Sequence, residues 1–162
     1  MISKLNVSIR KAKKSDSRDF IKLVLALAKF ESLKPPTSEG RRRLVRDIFE
    51  KRKLSLNLAF VEGNAVGYAL YFFTYSSFLA RPTLYLEDIF VLEEYRGKRM
   101  GLKLFRSCVR EAKKNGCGRM EWNVLTWNSN AIRFYEKLGA NRLKEWYYYR
   151  LDEKGIRENL KQ

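Results

Sequence analysis

Histidine is absent from the 162 residues of this chain, which excludes Ser-His and Cys-His catalysis and every His-ligated metal. Acid–base work is left to Glu, Asp, Tyr and Lys. Cysteine occurs only at Cys108 and Cys117. Their spacing is not that of metal ligands, so neither a disulfide framework nor a metal site is expected, and both read as structural thiols. No apolar run approaches the ~18 residues needed to cross a bilayer. The start, Met1-Ile2-Ser3-Lys4-Leu5-Asn6, lacks the apolar centre of a secretory signal. A soluble, cytoplasmic protein with no membrane partner is expected. Acidic residues are scarce, 18 Asp and Glu against 34 Lys and Arg, for a formal charge of +16. Such a field attracts phosphorylated partners, an anionic cofactor or nucleic acid. Clusters such as Arg41-Arg42-Arg43 and Lys51-Arg52-Lys53 read more simply as solvated surface.

What is present is 45% hydrophobic and 14% aromatic, enough for residues 1–162 to form a single domain around one core. Asn6 to Arg10 alternates as a first strand. Ser15-Asp16 can cap a helix with Phe20, Leu23, Val24 and Leu27 on one face, ended by Pro35-Pro36. Ser38 can cap a second helix that turns Leu44, Val45, Ile48 and Phe49 inward. Strand-like runs Leu56 to Glu62 and Ala65 to Tyr75 meet at Gly63-Asn64, a pair tolerant of positive φ and suited to a tight hairpin. Thr83 to Val91 is an apolar strand, Met100 to Lys114 a helix, Arg119 to Val124 a strand, and Ser129 to Leu138 a helix closed by Gly139. Trp146 to Leu151 reads as a last aromatic strand, and Asp152 to Gln162 as a frayed charged tail.

Two segments carry chemistry. Arg96-Gly97-Lys98-Arg99-Met100-Gly101 opens a helix after an apolar strand, so exposed N–H groups and the positive helix end can seat a pyrophosphate; an ordinary basic turn would look the same. Asn128-Ser129-Asn130-Ala131-Ile132-Arg133-Phe134-Tyr135-Glu136-Lys137-Leu138-Gly139-Ala140 is more particular. Together they resemble the cofactor motifs of the GNAT superfamily of N-acetyltransferases, Arg/Gln-x-x-Gly-x-Gly/Ala and Asn-x-x-Ala-x-x-Phe-Tyr-x-x-x-Gly. Arg99 stands where the family usually has its middle glycine. The likeness extends over nearly the whole chain and is nearest the spermidine/spermine and thialysine acetyltransferases. It is carried by Ala28-Lys29-Phe30-Glu31, Tyr71-Phe72-Phe73-Thr74-Tyr75 and Leu84-Tyr85-Leu86-Glu87-Asp88-Ile89-Phe90-Val91.

The resemblance implies an α/β (α+β) acyltransferase fold: a mixed, mostly antiparallel sheet with splayed fourth and fifth strands and about four helices. It implies acetyl-CoA as co-substrate, no metal, and a homodimer. Ile89, Phe90 and Val91 would line the pantetheine, with main-chain amides of Ile89 and Val91 holding the thioester oxygen, a sound use of fixed donors. Arg96, Gly97, Lys98, Arg99, Met100, Gly101 and Leu102 would hold the pyrophosphate, and Asn128, Asn130 and Ala131 the cofactor arm. Tyr135 matches the family's general acid, a phenol that is protonated at neutral pH; read alone it is equally a core aromatic beside Phe134. Glu87 matches the base or water-positioning carboxylate that relieves a primary ammonium of its proton. Strand alternation sends Glu87 and Asp88 to opposite faces, so without a bulge only one enters the cleft. Phe30, Glu31, Phe78, Asp88, Glu145 and Trp146 would line the acceptor, carboxylates meeting ammonium groups and aromatics the aliphatic stem. Tyr75-Ser76-Ser77-Phe78 lacks the acidic residue of the spermidine/spermine enzyme.

The expected activity is acetyl transfer from acetyl-CoA to a small-molecule primary amine (diamine, polyamine or lysine-like) by direct attack through a tetrahedral intermediate. A protein lysine or N-terminal acetyltransferase shares the same cofactor machinery. A basic nucleic-acid-binding protein is the third reading, but no RNP-like, zinc-finger or helix-turn-helix signature accompanies the charge, so nucleic acid is at most a nonspecific partner.

Overall fold

The computed structural model describes residues 6–160. These residues form two compact units, one running to Asn123 and one from Val124.

The first unit contains β1 (Val7–Lys11), a 3-10 turn (Lys14–Asp16), α1 (Ser17–Phe30), α2 (Ser38–Phe49), β2 (Ser55–Val61), β3 (Asn64–Ser76), β4 (Arg81–Val91), a second 3-10 turn (Glu93–Tyr95), α3 (Met100–Lys114) and β5 (Arg119–Glu121). The strands lie in the order β1-β2-β3-β4-β5. Every pair is antiparallel except β4–β5, which is parallel. This is the mixed, mostly antiparallel sheet expected from the sequence.

Local details shift by a residue or two, each for a visible reason. Asp16 does not cap α1; its carboxylate accepts from Arg10 at 2.7 Å and from the Lys13 amide at 2.6 Å. The cap of α2 is Thr37 rather than Ser38, its hydroxyl accepting from the Gly40 amide at 3.1 Å. The hairpin turn is Glu62-Gly63, with φ of 48° and 80°, while Asn64 already belongs to β3. A two-residue hairpin loop needs positive φ at both central positions, and the register Val61↔Asn64 fixes which two they are. The fifth strand stops at Glu121 instead of Val124.

The sheet has two covered faces. Leu56, Leu58, Phe60, Tyr68, Leu70 and Phe90 pack with Phe20 and Leu23 of α1 and Ile48 of α2. The opposite face meets α3, where the Asn57 amide donates to the Ser107 hydroxyl at 2.9 Å and Cys108 is fully buried. Burial pushes the Cys108 thiol up to about 12, which leaves it inert, as a structural thiol should be.

The register between β3 and β4 breaks once. Phe73 pairs with Leu84 and Tyr71 with Leu86, but Leu70 pairs with Asp88 and Tyr68 with Phe90, leaving Glu87 as the extra residue of a bulge. Paired residues share a face. Even-numbered positions of β4 therefore lie on the α3 face before the bulge and on the α1 face after it. Gly67 sits at the paired end of the same strands, and a Cβ there would lie 2.6 Å from the Phe90 carbonyl oxygen.

The second unit contains α4 (Ser129–Lys137) and α5 (Glu153–Asn159). Asn128 caps α4 by accepting from the Ala131 amide at 3.2 Å, and Gly139 closes it with a φ of 85°. Two expectations are overturned here. No strand forms over Trp146 to Leu151, because the β preference of aromatics is a preference for packing beside a strand neighbour, and none is supplied among the described residues. Trp146, Tyr147, Tyr148, Tyr149 and Leu151 are all exposed. Residues 161–162 lie outside the described residues, and over its described part the charged end holds a helix rather than a frayed tail. Asp152 caps it at 2.8 Å from the Gly155 amide, and Glu153–Arg157 (2.8 Å) and Lys154–Glu158 (3.8 Å) pair one turn apart, contacts that favour a short helix.

Substituting Gly67→Ala would force β4 away from β3 at Phe90. The expected cost is about 2 kcal/mol of unfolding free energy, measured by denaturant titration, whereas Gly63→Asn, at an open turn, should be nearly neutral.

Candidate active site

Beyond Tyr85 and Glu121 the β4–β5 pairing ends. The β4 edge from Leu86 to Val91 has no strand partner on that side among the described residues. This is the splay expected of the fourth and fifth strands, and it places Ile89, Phe90 and Val91 along the gap.

On the α1 face, the bulge brings Asp88 beside the end of α1. Asp88 is half-buried and its Oδ2 accepts a hydrogen bond from the Tyr68 hydroxyl at 3.1 Å. Burial, with repulsion from Glu87 and Glu31, raises the Asp88 carboxyl from the usual 3.8 to about 6, against the lowering effect of the Tyr68 bond. Burial also raises Glu31, which follows the last turn of α1 at its partly negative end. Glu87 is exposed at the bulge. Among the described residues none of these carboxylates makes an ion pair with Lys or Arg. The guanidinium of Arg96 is held elsewhere: its Nε donates to the Val91 carbonyl at 2.9 Å, and it lies 4.5 Å over the Phe30 ring and 5.6 Å from that of Phe90. Phe30 and Phe90 also meet, with centroids 6.3 Å apart.

At the start of α3, Gly97 has a φ of 73° and Arg99 a φ of 62°, no side chain caps the helix, and its first turn carries no acid. Added Cβ atoms at Gly97 and Gly101 would meet open space. Orphan amides of Met100, Gly101 and Leu102, with Lys98 and Arg99 beside them, therefore fit a pyrophosphate. The Lys98 ammonium rests on the Glu94 carbonyl at 3.1 Å. Arg99 occupies a left-handed conformation that suits glycine, which answers what replaced the family's middle glycine: the turn keeps its shape and carries the strain.

The expected residues thus divide. Phe30, Glu31, Glu87, Asp88, Phe90 and Arg96 gather at the α1–β4 corner, and Gly97 to Leu102 form the helix end. Phe78 stands fully exposed at the turn between β3 and β4, some seven residues along β4 from Asp88 and so roughly 20 Å away. In the second unit Tyr135 is buried with its ring 5.3 Å from Phe134, Asn128 is spent on its cap, Asn130 accepts from Arg133 at 2.6 Å, and Glu145 and Trp146 are exposed. The sequence reading missed Tyr68 and Gly67. A glycine inside a strand does signal close approach, but Tyr68 becomes a neighbour of Asp88 only through the shifted register.

The profile of the Acetyltransferase (GNAT) family matches residues 23–140. Thialysine N-epsilon-acetyltransferase of Bos taurus is 34% identical over 94% of this chain and 96% of its own length. L-ornithine N5-acetyltransferase NATA1 of Arabidopsis thaliana is 49% identical over 52% of this chain, which spans 37% of that protein. The solved structure of aminoglycoside N-acetyltransferase AAC(6')-Iy in complex with CoA aligns with a TM-score of 0.78 at 20% identity, covering 93% of this chain and 98% of that one, a likeness of fold.

Two outcomes follow from this geometry. Because the folded protein holds Asp88 above its usual value, its ionisation destabilises the fold increasingly as pH rises from about 4 through about 6. Asp88→Asn should therefore gain on the order of 2 kcal/mol at pH 8 and nothing near pH 3.5, read from denaturant unfolding at both pH values. Arg99→Gly should add about 1 kcal/mol by relieving the left-handed backbone. It should also weaken acetyl-CoA binding a few-fold at low salt but not at high salt, as calorimetric titration would show.

Proposed function

The chain belongs to the acetyltransferase (GNAT) family and is an acetyl-CoA-dependent N-acetyltransferase, and from that premise we propose that its acceptor is the primary amine of a small molecule: a diamine, polyamine or lysine-like amine. The observation that carries this reading is the corner of Glu31, Glu87 and Asp88, three carboxylates left without a cation in a chain of charge +16. Leaving the half-buried Glu31 and Asp88 unpaired has a cost, and an ammonium group offsets it. The thialysine and ornithine acetyltransferases among the relatives are named for compact amines of this kind.

When bound, acetyl-CoA supplies a thioester carbon open to attack by an amine. The amides at the start of α3, with Lys98 and Arg99, hold its phosphates, and the gap beside β4 takes its arm. Main-chain N–H groups of Ile89 and Val91 donate to the thioester oxygen as negative charge develops on it in the tetrahedral intermediate. Glu31 and Asp88 hold the acceptor's cationic part, and Phe30 flanks its stem. Glu87, exposed at the bulge, takes the proton from the attacking ammonium directly or through water. By the family likeness alone, Tyr135 is assigned proton donation to the departing thiolate, Asn128, Asn130 and Ala131 the cofactor arm, and Glu145 and Trp146 a part in acceptor recognition. The matched span crosses the boundary at Asn123, so we read residues 1–162 as one acetyltransferase domain. By the same family likeness it works as a cytoplasmic homodimer.

A screen of thiol release with a short diamine, a lysine-like amine, spermine and a lysine-containing peptide tests the reading. The compact amines should give the highest kcat/KM, because the turn Ser76-Ser77-Phe78 offers no carboxylate to further ammonium groups. A preference of tenfold or more for the peptide would overturn it. With the best acceptor, Tyr135→Phe should lower kcat by about 10²-fold while acetyl-CoA affinity stays near wild type. An unchanged kcat would remove Tyr135 from the mechanism.

A further inference from the structure

Tyr68 lies in the middle of β3, far from any expected site residue in sequence, yet its hydroxyl ends at the acceptor corner. The ring has no exposed surface. It is fixed edge-on against Phe20, with centroids 5.2 Å apart and planes at 83°, and lies 6.4 Å from Phe90. So held, the phenol can point only along its own axis, and there it meets Asp88 Oδ2 at 3.1 Å. No other hydrogen bond to the Asp88 carboxylate is found among the described residues.

We propose that Tyr68 is a positioning residue for the acetyl-transfer reaction: its buried hydroxyl orients Asp88 and keeps that carboxylate ionised, so that it can hold a cationic acceptor down to mildly acidic pH. The inference rests on the reading of Asp88 as an acceptor-binding group. Every other ionisable group facing Asp88 works the opposite way. Glu87 on its own strand and Glu31 at the end of α1 repel its charge, burial opposes it, and Tyr68 alone favours it. Arg96, the cation on this corner, is turned to the Val91 carbonyl and the aromatic rings. Burial and the neighbouring carboxylates drive the Tyr68 hydroxyl itself well above its ordinary range, so it remains a donor wherever the enzyme works. A phenylalanine at this position would fill the same space and leave Asp88 facing only repulsion and a low-dielectric wall.

The test compares wild type with Tyr68→Phe in two ways. Carbon-13 titration of the aspartate carboxyl groups, with Asp88→Asn to identify the signal, should place Asp88 near 6 in wild type and about one pH unit higher in the variant. Kinetically, the wild-type to variant ratio of kcat/KM for a short diamine cancels the acceptor's own titration. It should be within about threefold at pH 9 and rise to about tenfold by pH 6. In an Asp88→Asn background, adding Tyr68→Phe should leave the ratio flat with pH. A purely structural tyrosine would lower activity by the same factor at every pH and leave the Asp88 titration in place, and either result overturns the proposal. If Tyr68→Phe fails to fold, global replacement of tyrosine by 3-fluorotyrosine, a more acidic donor, should move the Asp88 titration downward; no movement overturns the proposal equally. The titration needs no acceptor, so a protein that acetylates no small amine but shows the Tyr68-dependent shift would sink the acceptor reading while leaving the Tyr68–Asp88 coupling in place.

Discussion

The bulge at Glu87 is the constraint on which the acceptor corner depends. Side chains alternate along a strand with a period of two, so an uninterrupted β4 would carry Asp88 to the α3 face with Leu84 and Leu86. It would also withdraw Phe90 from the core shared with Phe20 and Tyr68. One inserted residue reverses the phase. The strand keeps leucines under α3 on one side of the break and delivers a carboxylate and a phenylalanine to α1 on the other. Gly67 closes the paired strands where Phe90 comes nearest, so the bulge and the glycine act as one device that lets β4 change faces without parting from β3.

The electrostatics of the corner oppose those of the whole molecule. A chain with 34 basic residues would be expected to neutralise any carboxylate within reach, and many of its acids are so engaged, among them Asp16 with Arg10, Glu50 with Lys14 and Glu121 with Arg119. Three that are not, Glu31, Glu87 and Asp88, share one corner. At a screening length of about 8 Å, the distant cations contribute little to a carboxylate at contact distance from an ammonium. Arg96 is occupied by a carbonyl and two rings. The positive field is left to act at the start of α3, where phosphates are expected.

Much of this was legible in the sequence. Hydrophobic periodicity located α1 through α4 and the first four strands; α1, α2 and α3 each present an apolar face to the sheet. The helix-opening glycines marked the turn that starts α3, where the φ of Gly97 is 73°. The acidic pair on β4 was visible as a pair, but which member enters the cleft was not, since the bulge lies in the pairing of Leu70 and Tyr71 with β4 rather than in β4 alone. Tyr68 was invisible for the same reason. The failures at the end of the chain have another origin. Trp146 to Leu151 has the composition of a strand but joins no sheet among the described residues. Asp152 to Leu160 looked like a solvated tail because its caps and ion pairs depend on spacing rather than on hydrophobicity.

The choice of a tyrosine to support Asp88 follows from what that carboxylate has to do. A lysine or arginine in its place would hold Asp88 ionised more strongly, but it would neutralise the charge that an incoming ammonium must find and would itself repel the acceptor. A water molecule would compete for the same position and bring no fixed direction. A phenol supplies one hydrogen bond and no net charge, and burial and three neighbouring carboxylates together oppose loss of its proton. Tyr68 therefore stabilises the negative form of Asp88 while leaving its attraction for a cation intact, and the packing of Phe20 and Phe90 against its ring transmits the rigidity of the core to the group that meets the substrate. Under the proposed acceptor reading, that combination of a fixed dipole and an uncancelled charge is what would let a chain of net charge +16 bind a basic acceptor.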